Sequence, residues 1–243
     1  MQETTRDEAL ARSAVFSALA LAFGPPGPEV QEKLGSDVGS RALSEALCAM
    51  GAPALADLAG TLAGSMVDER AYRRLFGHTA RGAVPPYETE YGRQALFQQP
   101  RELSDIAGFF AAFGLVLDPS RHERPDHVRC ECEFLGFLAR KEAFALERDD
   151  CEMLGEVRKA QRLFLRDHLG AFAPALGEGL RKSDGGGFYG IAGQLLKALC
   201  EHECRRADVA PGPETLELRE LTSQDTSSIS CSEAEGCDAG ECG

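Results

Sequence analysis

The sequence has no long apolar run. None approaches the roughly 18 residues that a membrane-spanning helix needs, so no stable membrane insertion is expected. It also lacks an excess of basic side chains: the formal net charge is −13, and lysines and arginines are scattered among the acids without forming a stripe. A chain of that charge repels phosphate backbones and anionic lipid, which excludes nucleic acid as a partner. The N-terminal residues MQETTRDEALARS are polar and carry acids where a secretory signal needs positive charge, so the protein is expected to stay in the cytoplasm. No stretch alternates β-branched and polar residues as a half-buried strand does. Phosphate loops of the form GxxxxGK[ST], a GxGxxG turn after a strand, HExxH and GxSxG are all missing, so no enzyme activity and no cofactor are expected.

Helical pattern fills the space those absences leave. With 243 residues, 43% of them apolar, the chain can bury one large core or two small ones. Leu10, Ala14, Ala18, Leu21 and Ala22 recur at helical spacing over residues 4–23, and Gly24-Pro25-Pro26-Gly27-Pro28 stops the pattern. Further helices are expected at 28–35, 40–50, 53–65 and 67–76. A break at 77–84 then leads into the loop Pro85-Pro86-Tyr87-Glu88-Thr89-Glu90-Tyr91-Gly92, where two prolines deny the backbone helical hydrogen bonds. Residues 102–117 carry Leu103, Ile106, Phe109, Phe110 and Phe113 on a helix closed by Asp118-Pro119. Asp126, after Pro125, is the expected N-cap of a helix running to Leu146. Helices at 150–169 and 174–182 follow, then a Gly185-Gly186-Gly187 joint and a last helix over 188–206 with Ile191, Leu195 and Leu199 on one face.

Beyond Ala210 the chain is rich in Pro, Glu, Ser and Gly, with too little apolar surface to offset the entropy of ordering. The expected architecture is all-α: a single-domain bundle of about ten helices over residues 1–208, with a disordered, acidic, cysteine-bearing tail over 209–243.

Several constellations could carry chemistry. Asp126-His127 with Cys130 resembles a nucleophile beside a base, but a cap and a first-turn residue explain the same letters. The nine cysteines are odd in number, and those in the body lie within helical patterns, so they read as reduced thiols. Five of them follow residue 199. Cys200 and Cys204 stand one turn apart with His202 between them, and Cys231, Cys237 and Cys242 lie in the tail; two thiolates could share a soft ion. Their spacing matches no standard zinc or iron–sulfur pattern. Packing thiols are the first reading, and a metal- or iron–sulfur-binding assembly factor is the alternative. Arg73-Arg74 mimics a twin-arginine signal but is internal, with no long apolar run behind it, and reads as a solvated helix face.

Five blocks then occur in order: Tyr72-x-x-Leu75-Phe76, Pro85-Pro86-Tyr87-Glu88-x-x-Tyr91, Phe113-Gly114-Leu115, Glu123-Arg124-Pro125-Asp126-His127 and Glu131-x-Glu133-Phe134. Together they resemble the TorD/DmsD/NarJ family of redox-enzyme maturation chaperones. The resemblance implies an all-α fold and a protein that binds the N-terminal region, often a twin-arginine signal peptide, of a molybdopterin oxidoreductase catalytic subunit, holding the precursor until its cofactor is inserted. By the same resemblance Tyr87, Glu88, Tyr91, Asp126 and His127 would line the peptide-binding region, with Leu75, Phe76 and Pro86 as its apolar wall. Cys130 and Cys132 stand where family members often carry aliphatic residues, and the cysteine-bearing tail is outside the common pattern.

The physics of such a client fits. Two guanidinium groups followed by an apolar stretch call for carboxylates beside an aromatic groove. Glu88, Glu90 and Asp126 with Tyr87, Tyr91 and Phe76 supply both. The glycine joint leaves either a monomer or a dimer formed by helix exchange.

Overall fold

A computed structural model describes residues 4–77, 81–92, 99–118 and 123–219. Among them lie ten α-helices: α1 (Arg6–Ala22), α2 (Pro28–Lys33), α3 (Asp37–Ala49), α4 (Ala56–Gly60), α5 (Glu69–Phe76), α6 (Gln99–Ala112), α7 (Val128–Glu147), α8 (Cys151–Asp167), α9 (Leu169–Asp184) and α10 (Phe188–Arg206). No strand occurs among the described residues; three isolated β-bridges do. The all-α bundle expected from the sequence is the fold observed.

Local signals set the helix ends. Thr5 opens α1 with a capping box: its hydroxyl accepts from the Glu8 N–H, and the Glu8 carboxylate accepts from the Thr5 N–H at 2.8 Å. Ser36 caps α3 and Asp150 caps α8 with the side chain alone, accepting from the Gly39 and Met153 N–H groups. The expected cap of α7 moves by one residue. His127, not Asp126, is the N-cap, and its Nδ1 accepts from the Arg129 N–H at 3.0 Å.

Helix α7 is the axis of the bundle, burying Val128, Cys130, Cys132, Phe134, Leu135 and Leu138, with α1 packed along it. At Gly136 the two helices touch, and a Cβ there would meet Phe16 and the Ser13 carbonyl at 3.4 Å, an ordinary packing distance. A buried ionic network ties four helices at one end: Glu142 of α7 accepts from Arg12 of α1 and from Arg158 and Gln161 of α8, and Arg206 of α10 bonds Gln161 and Glu203. Helices α9 and α10 form a close antiparallel pair, because Gly177 and Gly193 face each other; a Cβ on Gly177 would collide with the Gly193 carbonyl oxygen.

The sequence reading differs from the structure in further places: the helix expected over 53–65 is a 3-10 turn, Pro53–Leu55, followed by the short α4, and α6 spans Gln99–Ala112 where 102–117 was expected. Helix α9 starts five residues before the expected 174, taking Pro174 into its interior. Proline has no N–H to bond the carbonyl four residues back, and that carbonyl, of Gly170, accepts instead from the Gly212 N–H at 2.9 Å. The Gly212 bond belongs to another difference: residues 209–219, expected within the tail, form an extended strap on the body, with Leu216 and Leu218 packed against the core. The rest of the tail, including Cys231, Cys237 and Cys242, lies outside the described residues.

Candidate functional site

Two chain segments far apart in sequence meet beside the start of α7. The proline loop pairs antiparallel with the residues leading into α7 through a bridge between Tyr87 and His127. Glu88 N–H donates to the Asp126 carbonyl at 2.9 Å, and Val128 N–H donates to the Pro86 carbonyl at 2.8 Å. Asp126, 0% exposed, locks the junction with its side chain. Its Oδ2 accepts from the Thr89 N–H (3.2 Å), the Thr89 hydroxyl (2.7 Å) and Arg124 Nη2 (2.7 Å), while Oδ1 accepts from Arg124 Nε (3.0 Å). Arg124 also lies 4.4 Å over the Tyr87 ring, and that ring meets His127 edge to face at 5.0 Å.

Burial governs the electrostatics. It drives the His127 imidazole down to about 3, with the nearby Arg129 and Arg124 adding to the effect, so His127 is neutral. Burial raises Tyr87 to about 12. One turn into α7, Glu131 is fully buried against Glu88, to which its protonated carboxyl can donate a hydrogen bond. Burial, then the charge of Glu88, hold its carboxyl well above the usual carboxylate range. Glu88 itself faces His168 at 3.3 Å.

All eight residues expected at the site are therefore gathered in one region, though most of them point inward. Leu75 and Phe76 end α5 in the core, where Phe76 packs edge to face with Tyr72, Tyr189 and Phe23. Pro86 is buried, and Tyr91 donates its hydroxyl to the Pro85 carbonyl at 2.8 Å and packs on Phe172. Asp126 and His127 hold the loop from beneath. Tyr87 and Glu88 are half-buried and form the outer face, with Glu123 and Tyr72 also partly exposed.

Sequence reading missed an open groove of about 1170 Å³ next to this junction. Its apolar floor includes Ala18 and Leu21 of α1, Leu43 and Ala46 of α3, and Phe134 and Phe137 of α7. Val38 and Val116 stand at its rim, 80% and 91% exposed. Glu29, Glu32 and Glu133 supply carboxylates there, interspersed with Lys33, Arg129 and Arg140. Arg129 and Cys130 line the groove from the first turn of α7, so junction and groove are continuous. The sequence offered no signal for the groove: the exposure of Val38 and Val116 exists only once the helices pack, and an isolated valine says little.

The cysteines of α10 are packing residues in this structure. Cys200 and Cys204 are fully buried, and burial holds the Cys200 thiol well above its ordinary range and raises Cys204 to about 11. Among the described residues no group of three or more His, Cys, Asp or Glu side chains is placed to hold a metal ion.

Comparison with known proteins meets this geometry from another side. The family model described as nitrate reductase delta subunit matches residues 40–178. The perchlorate reductase assembly chaperone protein of Dechloromonas aromatica is 30% identical over 184 residues, 69% of this chain and 77% of that protein. The chaperone protein TorD of Photobacterium profundum is 26% identical over 127 residues, 52% of this chain and 57% of its own length. The selenate reductase assembly chaperone protein of Thauera selenatis is 33% identical over 111 residues, 45% of this chain and 55% of its own length. The chain thus spans little more than half the length of the last two. Residues 40–178 contain the proline loop, the start of α7 and much of the groove, and on that match the chain belongs to the nitrate reductase delta subunit family, which includes the TorD-type proteins.

Proposed function

We propose that the protein is a non-catalytic cytoplasmic assembly chaperone that binds the N-terminal region of a molybdenum-containing oxidoreductase precursor and holds it until its cofactor is in place. Relatives named as assembly chaperones of perchlorate and selenate reductases support this reading. The observation that carries it is the apolar groove beside the Tyr87–Glu88 face: an apolar floor suits the hydrophobic stretch of a signal-type segment, and carboxylates at its rim suit that segment's arginines. Tyr87 and Glu88 make contact from the loop, while Pro86, Tyr91, Leu75, Phe76, Asp126 and His127 fix the loop's shape. The partner is the precursor of a molybdopterin-type catalytic subunit.

The test uses a synthetic peptide with two arginines followed by an apolar stretch. Val116→Asp puts a charge at an exposed rim position, and is expected to weaken binding at least tenfold, about 1.4 kcal/mol, with the melting temperature unchanged. Glu88→Gln is expected to weaken it by about 1 kcal/mol through loss of a charge-assisted bond. Unchanged affinity in both variants would remove the site.

A further inference from the structure

The strap that follows α10 is seated on the outer edge of the proline loop. Leu218 pairs antiparallel with Tyr91. Arg219 N–H donates to the Glu90 carbonyl at 2.9 Å, and Gly92 N–H donates to the Glu217 carbonyl at 2.7 Å. The Arg219 guanidinium, in a residue 8% exposed, reaches both carboxylate oxygens of Glu102 through Nη2, at 2.7 and 2.9 Å. Arg81 braces the pairing, donating to the Arg219 carbonyl at 2.6 Å and to Glu90 at 3.1 Å. Upstream, Gly212 is held by the carbonyl that Pro174 leaves unpaired, and Lys197 pairs with Glu214.

We propose that this edge is a docking channel for an extended, arginine-bearing peptide, and that residues 212–219 occupy it as an internal ligand which such a segment of the client precursor displaces. The proposal rests on the chaperone reading and adds to it a second contact region and its regulation. Main-chain pairing at the Glu90–Gly92 edge is open to any extended segment of suitable length. Selectivity for a basic side chain comes from Glu102, both of whose oxygens accept from Arg219 Nη2 in the strap.

The strap is also an imperfect occupant. Of the Arg219 guanidinium only Nη2 reaches Glu102, so the pair falls short of the two-nitrogen fork that an arginine can make on a carboxylate. A pairing of so few bonds is marginal by itself. A resident segment of this kind lowers the apparent affinity for a client by the fraction of time it occupies the channel, so weakening the strap should strengthen the client.

The experiment uses the full chain, its Arg219→Ala variant and the double variant Arg219→Ala/Glu102→Gln. Two labelled probes are added: a capped peptide copying residues 210–219, and a peptide with two consecutive arginines followed by an alanine- and leucine-rich stretch. The strap copy is expected to bind Arg219→Ala at least tenfold tighter than the unaltered chain. The twin-arginine peptide is expected to displace it, and the double variant to lose at least tenfold for both probes. In the unaltered chain, adding the twin-arginine peptide should speed amide hydrogen exchange at Arg219, a readout that needs no variant to fold.

Equal binding of the strap copy to both chains, or an Arg219 amide whose exchange is unmoved by a bound twin-arginine peptide, would overturn the proposal. The chaperone reading would survive the second result, with the client seated in the groove alone. A strap copy that binds while the twin-arginine peptide binds neither chain would overturn the client-displacement claim and count against the chaperone reading as well.

Discussion

Asp126 changes its meaning between sequence and structure. As an expected cap or peptide contact, its loss would leave the fold intact; as a fully buried carboxylate holding Thr89 and Arg124, it joins two segments of the backbone. Asp126→Ala is expected to destabilise the protein by about 3 kcal/mol, measured as a shift in urea midpoint, because Arg124 and Thr89 lose their partner. The cap lay one residue away, within the usual uncertainty of a helix end. The pairing with Thr89 was not legible, because nothing local to Asp126 announces a partner 37 residues earlier.

His127 adds a pH dependence of definite sign. Its folded value near 3 lies below the ordinary 6.5, so the unfolded chain takes up the proton first. The stability associated with neutral His127 is present above pH 6.5 and is lost as pH falls toward 3. His127→Asn, which can still cap α7, is expected to remove about 2 kcal/mol of the loss between pH 7 and pH 5. Glu131 runs the other way, since its folded value is raised. Glu131→Gln should raise the melting temperature at pH 8, and that gain should vanish as pH falls to about 4.5, where the carboxyl is protonated in the unfolded chain too.

At the scale of elements, spacing of apolar residues predicted most of the helices, because a 3.6-residue period depends only on near neighbours. It failed where an element depends on a distant one. Pro174 looked like a helix start; inside α9 its missing bond is offset by Gly212, a residue of the strap. The strap itself is short and lightly apolar, and only Leu216-x-Leu218 hinted that one face would be buried. Gly177 and Gly193 set the spacing of α9 and α10, which depends on two helices meeting and not on near neighbours in the chain. Gly177→Ala is expected to destabilise the protein by about 1–3 kcal/mol in thermal or urea unfolding, since the added methyl meets backbone that cannot swing away.

For the whole molecule, charge was legible and the groove was not. A net charge of −13 needs only counting, whereas the groove is assembled from α1, α2, α3, the end of α6 and α7, and exists only once they pack. Charge at this scale should speed encounter with a basic client segment, so the association rate is expected to fall about tenfold between 0.01 and 0.15 M salt. A client peptide whose arginines are replaced by glutamine should show almost no such dependence in stopped-flow mixing.

The blocks that resemble maturation chaperones spanned both segments of the junction, and the family match over residues 40–178 contains them all. The central claim, that the chain serves a molybdenum oxidoreductase, is tested most directly by affinity capture of the tagged protein from its host respiring without oxygen, with mass spectrometry of whatever co-purifies. The expected result is one molybdopterin-type catalytic subunit that still carries its N-terminal segment. Recovery of no such subunit, with iron or zinc bound to the purified protein in its place, would contradict the claim.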